Sequence, residues 1–192
     1  MKIIIDTYRD KVWGRNTLKK AEMVALVKES FRAVKIQPKQ VFLNVSFVGV
    51  DEMIQYNYKY RGQNAVTNVL SFANKNYVQD FIKNQNNNVN IDDNTEGKYA
   101  RKSDKNKISN NNNVYKIGLM QLGDMMLCYE KIEEEARQFG KTFPNRLAHL
   151  FVHSALHLIG YDHIIDRERE VMESLEEQIL SKFGIKDIYL KG

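Results

Sequence analysis

Apolar positions along this chain recur with two periods, and the change from one to the other marks out the elements. Lys2 to Thr7, with three consecutive isoleucines, predicts a first strand. From Thr17 to Val34 the spacing becomes helical: Leu18, Ala21, Val24, Ala25, Val27 and Phe31 share a face, with Asn16 or Thr17 placed to cap it. Val41 to Val48 predicts a second strand. Asp51 is expected to cap a helix over Glu52 to Tyr60, which Arg61-Gly62 ends. Val66 to Phe72 predicts a third strand and Lys116 to Leu127 a fourth, around Gly118 and Gly123. Three helices follow, over Tyr129 to Phe139, Asn145 to Ile159 and Asp166 to Phe183, the last with the core stripe Val171, Leu175 and Ile179. Strands interleaved with helices, then a helical C-terminal half, predict one α+β domain over residues 1–192. Its small mixed sheet of about four strands would pack against helices, with the helix ending at Ile159 central and largely buried.

One segment breaks the pattern. Residues 74–113 are rich in asparagine, including Asn86-Asn87-Asn88 and Asn110 to Asn113, and hold few large apolar residues. Such a composition buries too little surface to offset the entropy of ordering, so a long mobile insertion joining two neighbouring strands is expected. Its basic run (Lys98, Arg101, Lys102, Lys105 and Lys107) could meet RNA phosphates, but reads first as solvated charge.

Composition narrows the class. With 29 basic and 24 acidic residues the net charge is +5 and the sequence pI is about 9.1, which favours polyanionic partners such as RNA. The single cysteine, Cys128, follows the apolar run Met125-Met126-Leu127, excludes an internal disulfide, suits a reducing cytoplasm and reads as a small buried hydrophobe. No apolar stretch reaches the length of a membrane span, and Asp6 comes too early for a signal peptide. A cytoplasmic protein is expected.

The candidate chemistry lies in A-H-L-F-V-H-S-A-L-H-L-I-G-Y-D-H, which holds all 4 histidines of the chain. His153 and His157, at i and i+4, lie one above the other on the predicted helix. His149 shares that face but is about 12 Å along the axis from His157, too far for both to reach one zinc, and is read as packed or supporting. Gly160 is placed to end the helix in a left-handed turn, and Tyr161-Asp162 would swing His163 back over the same face. Three imidazoles with a fourth position for water or substrate describe a catalytic zinc site. The run H-S-A-L-H-L-I-G-Y-D-H keeps the ligand frame of H-E-x-x-H-x-x-G-x-x-H metalloproteases, but Ser154 stands where those enzymes need a glutamate base, which disfavours peptide hydrolysis. Two further places carry possible roles. Arg61, between a helix end and a strand, is either a surface arginine or a guanidinium aimed at phosphate. Asp124 in L-G-D either orders a ligand histidine or water, or is a turn residue.

These residues resemble the YbeY endoribonucleases, bacterial zinc proteins that mature ribosomal RNA. The histidine run carries the resemblance most specifically, supported by D-E-M-I-Q-Y-N-Y-K-Y-R-G, T-N-V-L-S-F and L-G-D-M-M-L-C, and more weakly by A-R-Q-F-G-K and M-E-S-L-E-E-Q-I-L. It implies one zinc ion held by His153, His157 and His163, with Arg61 as the catalytic non-ligand residue, in a cleft between sheet and helices. It further implies single-strand-specific cleavage in 16S rRNA 3′-end maturation, small-subunit assembly and ribosome quality control. The implied partners are single-stranded ribosomal RNA, the small subunit and its proteins, and an assembly GTPase. The family usually has glycine at the place of Ser154, so a side chain there is expected to narrow the cleft. It also usually has Lys-Pro and proline where this chain has Ala65-Val66 and Ala73 around the third strand. Two rival readings stand beside it: a non-catalytic zinc-containing assembly factor, and a metalloprotease-like hydrolase.

Overall fold

The structure is a computed structural model, and it describes residues 1–74, 115–163 and 165–189. The asparagine-rich segment, with its basic run, lies outside the described residues apart from Asn74. Four strands form one mixed sheet in the order β1-β2-β4-β3. β1 (Lys2–Arg9) pairs parallel with β2 (Ile36–Val48), β2 pairs parallel with β4 (Tyr115–Cys128), and β3 (Val69–Ala73) runs antiparallel to β4 along one edge. The helices are α1 (Lys20–Ala33), α2 (Val50–Arg61), α3 (Tyr129–Gln138), α4 (Phe143–Ile159) and α5 (Asp166–Ser181). The α+β architecture matches the sequence expectation, and the strands that flank the insertion are direct neighbours.

Period-two alternation places a core on each face of the sheet. Val41, Leu43, Val45 and Phe47 of β2 join Met125 and Leu127 of β4 in the main core, filled by Phe31 of α1, Phe151 and Leu156 of α4, and Ile179 of α5. On the other face Val48, Leu70, Met126 and Cys128 form a smaller cluster closed by Met53 of α2. Trp13 is fully buried after β1; its indole N–H donates to the Val48 carbonyl at 2.9 Å, and its ring meets Phe47, Tyr129 and Phe143 edge-on. α4 is the buried centre: only a minority of its residues reach solvent.

Several element ends move relative to the sequence reading, each for a local reason. α1 starts at Lys20, not Thr17, because the Glu22 carboxylate reaches back to the Lys19 N–H at 2.6 Å and satisfies the first turn there. Gly49, not Asp51, precedes α2, leaving Asp51 and Glu52 as acids in its first turn. β2 begins at Ile36, since its early stretch accommodates Pro38, a residue that argues against a strand when read alone. α4 begins at Phe143, where the Thr142 hydroxyl accepts from the Asn145 N–H at 3.3 Å and Pro144 sits in the first turn. Of the expected core stripe, Ile179 is buried and Leu175 packs against the core, but Val171 is 46% exposed; the buried positions of α5 are Met172, Glu176, Ile179 and Leu180. Among the described residues no helix is long and apolar enough to cross a membrane.

The β2–β4 register slips at Phe42/Leu43, whose partners are Gln121 and Gly123, so Leu122 is an extra residue in β4. Gly123 there has φ +122°, and a Cβ would stand 2.0 Å from the Phe72 carbonyl oxygen of β3. Backbone of the edge strand cannot yield as a side chain does. Gly123→Ala is therefore expected to destabilise the fold by at least about 2 kcal/mol in urea unfolding; a loss under about 0.5 kcal/mol would show that β3 can move away.

Candidate metal centre

The site is built on the end of α4. At Gly160 (φ 110°) the chain turns left-handed, with Gly160 N–H bonded to the His157 carbonyl and Tyr161 N–H to the Leu156 carbonyl, each at 3.0 Å. This six-residue closure ends the helix as the sequence predicts. It does more than stop it. The Tyr161 carbonyl, turned back by the same closure, accepts from His157 Nδ1 at 2.9 Å, so the helix end holds one ligand ring. Asp162 accepts from the His163 N–H at 2.8 Å and fixes the start of the exposed stretch that carries the third imidazole.

His153, His157 and His163 come together, with one ligand atom from each within 4.8 Å of the others. Ring centroids lie 4.6 Å apart for His153–His157, 5.3 Å for His153–His163 and 5.0 Å for His157–His163. His153 Nδ1 faces Glu176 Oε1 at 2.8 Å, and His157 Nδ1 faces the Tyr161 carbonyl. Both partners accept, so Nδ1 of each ring donates, and Nε2 of each ring is the atom turned towards the cluster. Those two Nε2 atoms are 3.1 Å apart. Two nitrogen ligands of a tetrahedral zinc stand about 3.3 Å apart, so this spacing suits a shared ion. Burial pushes His157 down to about 4, helped by neighbouring His153 and opposed by the Tyr161 carbonyl, which keeps the ring unprotonated at neutral pH. The donor set and its proton placement fit a metal ion.

Glu176 is the residue that sequence reading missed. It is fully buried on α5, and its second oxygen accepts from His149 Nε2 at 2.7 Å and from the Tyr189 hydroxyl. Burial pushes its carboxyl up, but the hydrogen bonds from His149 and His153 outweigh that and bring it down to about 2. A signal existed: Glu176 follows Met172 by four and precedes Ile179 by three, which places a carboxylate in the inward register of an amphipathic helix. His149 lies outside that three-histidine group; it is 6% exposed, and its Nδ1 accepts from Arg146 at 3.0 Å.

Other sequence candidates fall elsewhere. Ser154 is fully buried and shares a 2.8 Å hydrogen bond with Ser71 of β3, so its hydroxyl packs against the sheet and does not narrow a cleft. Asp124 is in register with Phe72 on the sheet face opposite α4 and accepts from Asn44 at 2.8 Å; it orders neither ligand histidine. Arg61 is the last residue of α2, exposed, before Gly62 at φ 69°. Among the described residues its side chain has no hydrogen-bond or ion-pair partner, and none joins it to the histidines. Its position is set by Asn57, which is buried and donates to the Ala65 carbonyl at 2.7 Å, tying the following residues to the helix before the chain enters β3. Cys128 is buried, which pushes its thiol up to about 11. A concavity of about 630 Å³ at the start of α2 is lined by Asp10, Asp51, Glu52 and Glu130 and contains none of the histidines. Its negative charge makes it a poor seat for phosphate.

Comparison with known proteins is consistent with this arrangement. A sequence profile described as "Endoribonuclease YbeY" matches residues 8–184. Proteins named Endoribonuclease YbeY from Chromohalobacter salexigens and Psychromonas ingrahamii are each 34% identical to this chain, over 77% of it and 71% and 70% of their own lengths. One from Lachnospira eligens is 33% identical over 77% of this chain and 79% of its own. A solution structure of a Thermotoga maritima protein aligns over 94% of this chain and 92% of that one, with 21% identity and a TM-score of 0.46. By profile and by relatives, this chain belongs to the YbeY endoribonuclease family.

Proposed function

We propose that the protein is a zinc-dependent, single-strand-specific endoribonuclease. Its substrate on this reading is ribosomal RNA precursor, cut in 16S rRNA 3′-end maturation during small-subunit assembly and quality control in the cytoplasm. The single observation that carries the reading is the convergence of His153, His157 and His163, with the first two Nε2 atoms 3.1 Å apart, in a chain of this family. An all-imidazole set with fixed protons suits zinc better than magnesium or calcium, which prefer oxygen ligands.

His153, His157 and His163 would hold the ion. Bound there, zinc supplies Lewis acidity towards a phosphoryl oxygen and lowers the pKa of water towards about 7. Everything else falls to the chain's own groups. Glu176 and the Tyr161 carbonyl hold the two helical imidazoles in the correct tautomer. Arg61, exposed and without a competing carboxylate among the described residues, offers its paired N–H groups to a backbone phosphate and offsets charge that builds there in the transition state. Ser154, engaged with Ser71, takes no proton; with no glutamate at that position, the metalloprotease reading has no base.

Three outcomes are expected. With zinc-loaded protein and a ribosomal RNA precursor, Arg61→Ala should cut about 10²- to 10³-fold more slowly at unchanged zinc content and melting temperature. Cleavage at the wild-type rate would remove Arg61 from the chemistry. If neither protein cuts while both bind RNA or ribosomal particles, the protein is an assembly factor. In the second test, chelation should abolish cleavage and added zinc restore it. RNA affinity should fall with salt at a logarithmic slope of roughly −0.7 per contacted phosphate. Cleavage that survives complete zinc removal would overturn the mechanism.

A further inference from the structure

A chain of buried or half-buried polar groups runs from the entry of β3 to the candidate metal ligands. Asn68 Nδ2 donates to both oxygens of Glu135 on α3, at 3.0 and 3.1 Å. Arg146 of α4 donates to Glu135 Oε2 through Nη2 at 2.7 Å and Nε at 3.1 Å, and through Nη1 to His149 Nδ1 at 3.0 Å. His149 Nε2 donates to Glu176 Oε2 at 2.7 Å, and Glu176 Oε1 accepts from His153 Nδ1 at 2.8 Å. The chain passes through α3, α4 and α5, and Tyr189 adds a further donor to Glu176.

We propose that Glu176, oriented by His149 and Arg146, is the positioning residue of the metal centre. This rests on the reading of His153, His157 and His163 as metal ligands. The argument follows from donor and acceptor inventory. Arginine only donates, so Arg146 forces His149 Nδ1 to accept and its Nε2 to carry the proton. That proton must meet an acceptor, as must the one on His153 Nδ1. Only a carboxylate offers an acceptor oxygen in both directions. Glutamine has the same shape but one acceptor and an N–H₂. With its amide towards His153 it opposes donor to donor, and the His153 proton must move to Nε2, where the ion would bind. With its amide towards His149 it sets the same conflict against Arg146. Glu176 thus fixes, through His153, which nitrogen faces the metal, as outer partners of metal-ligating histidines do elsewhere.

The test uses full-length protein, zinc as the probe, competition with a chromogenic chelator for affinity, and ¹⁵N-histidine NMR of the zinc-free protein for tautomers. The wild type should show His153 with its proton on Nδ1. Glu176→Gln should shift that proton towards Nε2 and weaken zinc binding by about 10- to 100-fold. Tyr189→Phe, which removes a donor from Glu176 but leaves both histidine contacts, should hold zinc within about threefold of wild type. If Glu176→Gln melts earlier yet binds zinc as tightly as wild type, Glu176 serves the fold alone and the proposal fails. Should that variant not fold, wild-type His153 found with its proton on Nε2 overturns the proposal without it. A wild type that binds no zinc removes the metal reading itself, and the proposal with it.

Discussion

α4 must be both the middle of the core and the carrier of a polar stripe. Most of its residues are buried, yet Arg146, His149, His153 and His157 recur along it at three- and four-residue intervals. An imidazole or guanidinium taken out of water costs stability unless each N–H and lone pair finds a partner. The surrounding elements are arranged to supply those partners: Glu135 on α3, Glu176 on α5, and the carbonyl of Tyr161 in the turn that ends α4 itself. What remains is the pair of Nε2 atoms of His153 and His157, which face each other at 3.1 Å beside His163.

The sheet divides the labour. One face bears the main core and α4; the other carries α2, with Arg61 at its end. β3 joins the two. It lies at the sheet edge, its Ser71 meets Ser154 of α4, its Leu70 packs with Met53 of α2, and the chain enters it from Arg61 through residues 62–68. The bulge at Leu122 and the close approach of Gly123 to Phe72 fix how near β3 sits to β4. The distance between a guanidinium on one side and imidazoles on the other is thus a property of the edge strand's seating.

Much of this was legible from residues. The three ligand candidates, the exclusion of His149, the left-handed stop at Gly160 and the four-strand sheet all follow from spacing and turn chemistry. Local rules were enough there because each signal lies within one turn or one strand. What escaped were interactions between elements distant in the chain. Glu176 is 23 residues from His153; its spacing from Met172 and Ile179 sets it apart from Glu173 and Glu177 as inward-facing, but nothing local names the histidines it meets. Of the apolar stripe Val171, Leu175 and Ile179, only Val171 misled: Ile179 is buried and Leu175 packs against the core, while the first inward position is Met172. Ser154 was misplaced for the same reason: its neighbour Ser71 is 83 residues away. Asp124 looked like a supporting group because it follows a glycine in a strand, but alternation along β4 sends it to the other face.

The burial of Cys128 has a consequence for how such a site responds to its surroundings. The chain contains one cysteine, and its thiol is shut into the α2 face of the sheet with its ionisation pushed up to about 11. It offers almost no thiolate to an oxidant, a second chain or a passing metal. The histidine cluster, built from nitrogen alone, shares no atom with sulfur chemistry. A metal taken up by the three imidazoles would therefore meet no thiolate from this cysteine.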